Sequence, residues 1–441
     1  MPVMRPLIYF LFFLGLCLLT YDRMPYFSFS VYRPVAMFPL FAASFLLLFE
    51  KFRFRQGDIF LIAFFIYSAC NSLINSAIHN DPSSSMKHIV TLIVGISIYR
   101  VSTYVGGTFR ELPDGSNLMI KALSIAFVPG VIAGFLQFID AFVVRNGFSK
   151  ALTSYFSEMV YHNRIQMLSG EPSWATIHML TGGILIYYLY SKRKKWSVLF
   201  VALLLLFILT FSAYAYGVIL IALFLFILIS GKHRFKLLLI TGVALCFIFG
   251  LVPFLIKTFG ISGYYTHRFN LDTLRLDDLM QKDGSFFVRF VFPIIGFIEF
   301  WRHPLTGVGG GFYYKEFTDI LLTHFGGGLK FKEVLDIAFN HQESATSRNL
   351  FSKVFSEEGL IGAVLFFGFL FTVLKKSCTN SYSKFVLAAC LSLVMNFDSY
   401  AFIDFWLLIG LIRGGFFETQ PEPRFWPIRS ERFSLAAVSK A

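Results

Sequence analysis

Low-charge apolar runs recur along the chain at about 6–20, 34–49, 58–76, 88–104, 118–140, 173–190, 197–211, 214–230, 237–256, 360–374, 385–398 and 400–413. Their length, about 15 to 22 residues, is what a helix needs to cross a hydrocarbon core of roughly 30 Å. The pattern predicts an all-α polytopic membrane protein with about twelve transmembrane helices. The seventh and eighth runs are parted only by Ser212-Ala213, so they form a tight hairpin or one of them is shorter. The stretch from Met1 to Thr20 resembles a signal sequence without a small-x-small cleavage site, and more runs follow. It reads as an uncleaved first helix.

Two polar segments are long, 141–172 and 258–359. A loop of the second one's length is usually functional. It carries an apolar stretch of its own, Arg289 to His303, interrupted by Pro293 and ending near Trp301. That stretch is short for a comfortable span and reads as an interfacial or re-entrant helix, with a short thirteenth span as the alternative. The division expected is therefore helices 1–9 over 1–257, a partly helical loop over 258–359, helices 10–12 over 360–414 and a tail over 415–441.

Composition agrees with this layout. Hydrophobic residues make up 56% of the 441 residues and charged ones 15%, well below the roughly 25% of a soluble domain. A soluble chain of this size has no core large enough for 57 phenylalanines. A soluble enzyme, a nucleic-acid-binding domain and a β-barrel porin all fit poorly. The net charge of +13 has a membrane explanation. Lys51-Phe-Arg53-Phe-Arg55, Lys192 to Lys195, Lys232 to Lys236, Lys375-Lys376 and the tail all fall on one side if the N-terminus is cytoplasmic. Segment 258–359 is instead balanced, with ten Lys and Arg against twelve Asp and Glu, and falls on the opposite side. None of the five cysteines lies in a long polar loop, so neither a disulfide nor a cysteine metal site is expected.

Three short motifs carry a resemblance. Arg289 to Phe312 reads R-F-V-F-P-I-I-G-F-I-E-F-W-R-H-P-L-T-G-V-G-G-G-F. Ser347-Arg348-Asn349-Leu350 precedes Glu358-Gly359-Leu360-Ile361-Gly362, and Ser169-Gly170-Glu171-Pro172-Ser173 precedes the sixth apolar run. Together and in this order they resemble the O-antigen ligase and polymerase superfamily, over about 160–414. The resemblance implies a GT-C-like glycosyltransferase bundle with one large periplasmic loop, in a bacterial inner membrane with both termini cytoplasmic. The ligases place a His where this chain has Arg348, and an Arg after the Ser of the hairpin where it has Ala213. Both departures favour the polymerase branch.

The reaction so implied passes a glycan from undecaprenyl pyrophosphate to the hydroxyl of another lipid-linked repeat unit, with no cofactor and no metal. Guanidinium groups suit the departing pyrophosphate because they stay charged and bind its oxygens bidentately. Arg289, Arg348 and Arg164 are the candidates, and each could equally anchor lipid headgroups or pair with a loop carboxylate. Gly309 and Gly310, in the turn Gly307 to Gly311, could offer backbone N–H groups to a phosphate or form a plain turn after Pro304. Glu171, His341 and Glu343 are the candidate general bases. Glu171 could instead cap the helix that begins near Pro172, and His341 could be a solvated loop residue. Asp398 and Asp404 flank the last two runs, where a packing role is as plausible as a chemical one. Partners expected are the lipid-linked donor and acceptor, membrane lipids and a chain-length regulator protein, with no nucleic acid. A ligase, and a transporter or flippase, are the competing functions. A flippase would more naturally have charges between pseudo-symmetric halves and short loops.

Overall fold

The computed structural model describes residues 4–25, 34–50, 55, 57–112, 114–144, 146–161, 164–191, 197–210, 212–230, 242 and 283–418. The expected ninth run, 237–256, apart from residue 242, and the first part of the long segment, 258–282, lie outside the described residues, as does most of the tail. Among the described residues the chain is helical and has no β-strand.

The first part of the bundle comprises α1 (Met4–Cys17), α2 (Met37–Leu46), α3 (Asp58–His79), α4 (Pro82–Thr108) and α5 (Gly115–Ile139), the last continuing as a π-helical turn over Asp140–Val144. After the short α6 (Ser149–Ser154) come α7 (Pro172–Ser191), α8 (Val198–Leu209) and α9 (Ala213–Ser230). The late part comprises α10 (Gly284–Arg302), α11 (Tyr314–Phe325), α12 (Lys332–Phe339), α13 (Leu350–Ser377), α14 (Ser381–Leu393) and α15 (Ile403–Gly414). Side-chain caps fix several starts. Asp81 accepts from Ser84 N with Pro82 behind it, Asp283 accepts from the amides of Ser285 and Phe286, and Asn349 from those of Phe351 and Ser352.

Five helices are long and apolar enough to cross a membrane: Asp58–His79, Pro82–Glu111, Gly115–Val144, Gly284–Arg302 and Leu350–Ser377. There are six if Val198–Leu209 and Tyr214–Ser230, which meet at a bend of 114°, form one broken span. The apolar runs outnumber the long helices because several fold as short ones, Met4–Cys17, Met37–Leu46 and Ser381–Leu393. The last run shows another use of an apolar segment. All twelve residues of α15 are buried, and it packs most extensively on α4. At twelve residues it is short of the length of a span, and it sits at the centre of the bundle. Small residues let it in: a Cβ on Gly414 would come within 2.7 Å of the Cα of Gly106.

Contacts sort the polar residues to two ends of the bundle. At one end Arg5 pairs with Glu111, Tyr9 donates to Thr108, and Arg413 holds Asp58 at 3.0 Å and Ser377 at 3.1 Å. At the other end lie Asp22, Arg23, Asp81, Glu158, Tyr314, Arg348 and Asp398. Helices α10, α11 and α12 have a hydrophobic core separate from that of the bundle, built on Phe292, Ile295, Phe317, Ile320 and Val334. Arg289 to His303, the stretch expected to be interfacial or re-entrant, belongs to α10, which meets the length and hydropathy of a span and packs on α13.

Candidate functional site

The glycine-rich turn and the helix that follows it in the resemblance are backbone partners. α13 breaks at Gly359, with φ +63° and ψ −161°, a region essentially confined to glycine. The break frees carbonyls before it and N–H groups after it. The turn takes them up: Val308 N donates to Ser356 O at 2.8 Å and Gly309 N to Glu357 O at 2.9 Å, while Leu360 N donates to Pro304 O at 2.8 Å. Irregular backbone in an apolar bundle survives only where protein satisfies it in this way. Gly311 N adds a bond to the Glu357 carboxylate at 3.0 Å. The amides of Val308, Gly309 and Gly311 are thus spent on α13, so the turn is a clamp on the helix break and not an open phosphate cradle. Gly309 lies against Asn75, and Gly310 against the His88 ring.

Beneath the turn is a buried polar cluster from three helices. His88 of α4 has Nδ1 3.6 Å from Glu357 Oε2 and Nε2 3.4 Å from Glu358 Oε1. Ser68 of α3 lies 2.8 Å from His88 Nε2 and donates to Glu358 Oε1 at 2.5 Å. Lys353 Nζ is 3.5 Å from Glu357 Oε1. His88, Glu357 and Glu358 together have the spacing to hold a metal ion. A second cluster joins α7, α15 and the segment after α1. His178 Nε2 is 2.9 Å from Asp22 Oδ2, and its Nδ1 is 3.2 Å from Asp404 Oδ2. Gly170 N and the Ser169 hydroxyl also donate to Asp22.

A third group is open to solvent and gathers residues singled out in the sequence. Glu171 precedes α7, accepts from the Ser173 hydroxyl at 3.2 Å and lies 3.9 Å from Arg23. Arg164 stands 6.0 Å from the Tyr161 ring. Burial raises the Tyr161 hydroxyl above its ordinary value, and the charges facing it are Glu171, Arg164, Arg23 and Glu333. Glu333 in turn binds Arg348 Nη2 at 3.3 Å. Arg348 has φ +56°, unusual for a residue with a side chain, and its amide donates to Asp398 Oδ2 at 2.8 Å. The Nε atoms of both Arg164 and Arg348 are buried and find no hydrogen-bond acceptor among the described residues.

The other candidates go elsewhere. Arg289 donates to the Ser285 hydroxyl one turn back and lies 5.8 Å from the Tyr214 ring. Glu343 is exposed, and His341 is 59% exposed and pairs with Asp336, whose carboxyl is lowered by Asn340 and the His341 charge. An apolar cavity of ≈ 260 Å³ lies among α7, α8, α9 and α14, lined by Ile184, Leu203, Phe207, Ile219 and Phe385.

Sequence reasoning passed over His88, Ser68, Lys353, His178 and Asp22. The available signal was polarity inside apolar runs: Ser68, Asn71 and Ser72 follow helical spacing on α3, and His88 and His178 interrupt otherwise apolar helices. No protein-family model matches the chain, and no curated protein matches it in sequence.

Proposed function

We propose that the chain is a membrane glycosyltransferase that polymerises undecaprenyl-pyrophosphate-linked repeat units into O-antigen or a related surface polysaccharide. In this reading it crosses a bacterial inner membrane twelve times as a GT-C-like bundle. Both termini are cytoplasmic, and the end bearing α10–α12 faces the periplasm. The observation that carries it is the grouping of Arg164 and Glu171 around Tyr161, with Arg348 joined to the group through Glu333, and an unspent buried Nε–H on each arginine. Two guanidinium groups suit a pyrophosphate, and a neighbouring carboxylate suits an acceptor hydroxyl.

The acceptor oxygen attacks the anomeric carbon of the donor glycan, and its proton passes to Glu171. The bond from that carbon to the pyrophosphate oxygen breaks, and the departing undecaprenyl pyrophosphate keeps the electron pair. Arg164 and Arg348 neutralise the charge that develops there. Asp398 holds the Arg348 backbone in its left-handed conformation, so Asp398 is a positioning residue.

The test is the glycan profile of a deletion strain carrying each variant at parental membrane abundance. Arg348→Ala and Arg164→Ala should each reduce long polymer, at about tenfold in rate per 1.4 kcal/mol of lost transition-state contact. Single-repeat capping of lipopolysaccharide in the deletion strain supports the polymerase reading. Complete loss of capping would instead mean a ligase, and lipid-linked repeats held in the cytoplasm a flippase.

A further inference from the structure

We propose that His88, Glu357 and Glu358 bind one divalent transition-metal cation, of the zinc or manganese type, between α3, α4 and the break in α13. This goes beyond the glycosyl-transfer reading and does not rest on it. One ligand atom from each of the three residues lies within 4.8 Å of the other two, and all three residues are buried. The separations of 3.6 Å and 3.4 Å between the imidazole nitrogens and the carboxylate oxygens are long for charge-assisted hydrogen bonds. With Nδ1 as the ligand, its 3.6 Å separation from Glu357 Oε2 is close to the roughly 3–3.5 Å between two atoms bound to one ion at about 2.0–2.2 Å.

The surrounding hydrogen bonds select the nitrogen. Ser68 donates its proton to Glu358, so its oxygen accepts from His88 Nε2–H at 2.8 Å. That leaves the Nδ1 lone pair, on the Glu357 side, as the metal ligand. A ligating histidine whose second nitrogen is held by an oxygen is the usual supporting arrangement. Lys353 contacts Glu357 through Oε1, away from the Oε2 atom that faces His88. Glu358 has a fully buried side chain and, among the described residues, receives hydrogen bonds from the Ser68 hydroxyl and the Asn71 amide, at 2.5 Å and 3.4 Å. A buried carboxylate without a cation is costly.

Tyr400 is an independent observation. It is fully buried, its ring stands edge-on to His88 at 5.5 Å, and its hydroxyl has no hydrogen-bond partner among the described residues. The charges that hydroxyl faces are Glu358, Glu357 and Asp398. Three protein ligands leave a coordination position open, and the Tyr400 hydroxyl can bond to a water or substrate oxygen held there. One imidazole with two carboxylates fits zinc or manganese better than magnesium or calcium, which prefer all-oxygen sites.

The experiment uses the full-length protein purified in detergent, with Co²⁺ as a visible probe and Zn²⁺ as competitor. The wild type should retain about one Co²⁺ per chain after desalting, with d–d absorption bands that Zn²⁺ abolishes. His88→Ala and Glu358→Gln should lose the bands. Ser68→Ala should weaken binding by about tenfold or more. Asp336→Asn, in the exposed His341 pair, should bind as the wild type does. A wild type that retains no Co²⁺ overturns the proposal whatever the variants do. Retention unchanged in both Ser68→Ala and Glu358→Gln, each eluting as the wild type does, overturns it equally. None of these readings depends on transferase activity.

Discussion

Two clusters of one histidine and two carboxylates are buried in this bundle, and they are built differently. Around His178 each ring nitrogen reaches a carboxylate oxygen, Asp22 at 2.9 Å and Asp404 at 3.2 Å, and Asp22 accepts further from Gly170 N and the Ser169 hydroxyl. Three groups, from α7 and the segment before it, close on the Asp22 carboxylate. Around His88 the carboxylates stand 3.4 Å and 3.6 Å away, and a tyrosine hydroxyl beside them goes unmatched. Equal composition therefore serves unequal ends. The first cluster holds both ring nitrogens of its histidine against carboxylates at 2.9 Å and 3.2 Å, although Asp404 Oδ2 makes no hydrogen bond among the described residues, and it ties the segment after α1 to α7 and α15. The second keeps its polar atoms spaced for something else.

The sharpest way to break this comparison is to remove one carboxylate from each. Asp22→Ala strands the His178 ring, the Gly170 amide and the Ser169 hydroxyl in a dry interior. It should cost about 3–5 kcal/mol and greatly reduce folded protein in the membrane. Glu358→Gln, measured in EDTA, keeps the shape and an acceptor oxygen for Ser68 while removing one of two adjacent like charges. It should change stability by no more than about 1 kcal/mol. Equal losses of thermal stability in the two variants would abolish the distinction between a closed and an open cluster.

A smaller effect sharpens the account of what holds the second cluster in place. Gly359→Ala forces a side chain into a left-handed conformation and drives its Cβ into Leu305 O and Gly307 N. The backbone strain alone amounts to about 1–3 kcal/mol. Gly326→Ala is the matched control, because a Cβ there meets nothing within 4 Å. Thermal unfolding should separate the pair clearly. A Gly359→Ala protein as stable as Gly326→Ala would mean that the turn does not clamp the helix break.

The legible and illegible parts of this molecule divide along physical lines. Apolar runs announce helices because burying apolar surface is insensitive to detail, so α3, α4, α5 and α13 fall where hydropathy puts them. Run length says less about what a helix does. α15 reads as a span in the sequence yet is wholly enclosed, because Gly410 and Gly414 allow close approach to α4, a property of the pair of helices. Among site residues, Arg164 and Glu171 lie near Tyr161 and Arg348 joins them through Glu333, as their place in polar segments between apolar helices allows. The clusters around His88 and His178 stayed hidden for a different reason. Asp22, His178 and Asp404 lie on distant parts of the chain, as do Ser68, His88 and Glu358, so no local spacing marks them. His341 and Glu343 looked chemical because they sit in a polar run near Arg348, but sequence proximity did not bring them to the buried groups.

The smallest effect concerns how α11 is held to the start of α4. The Tyr314 hydroxyl donates to Asp81 Oδ2 at 2.5 Å, and this bond, with those from Ser84, lowers the Asp81 carboxyl from 3.8 to about 2. A carboxyl lowered on folding contributes stability that is fully present above its unfolded value near 3.8 and is lost as the pH falls through about 2. Asp81 is partly exposed at the rim, so screening holds the contribution below about 1 kcal/mol. Hydrogen exchange of the α11 amides, corrected for intrinsic rates, should therefore show protection in the wild type that weakens between pH ~4 and ~2. Tyr314→Phe should start from lower protection at pH 5, and its remaining pH step should move up toward 3.8. The direction matters more than the size. The tie acts at the rim, far more weakly than the buried clusters, so losing it should loosen α11 and leave the α13 break and the His178 cluster protected. Protection lost from all three together would mean that the rim bond and the buried clusters open as one unit, and the contrast between them would fail.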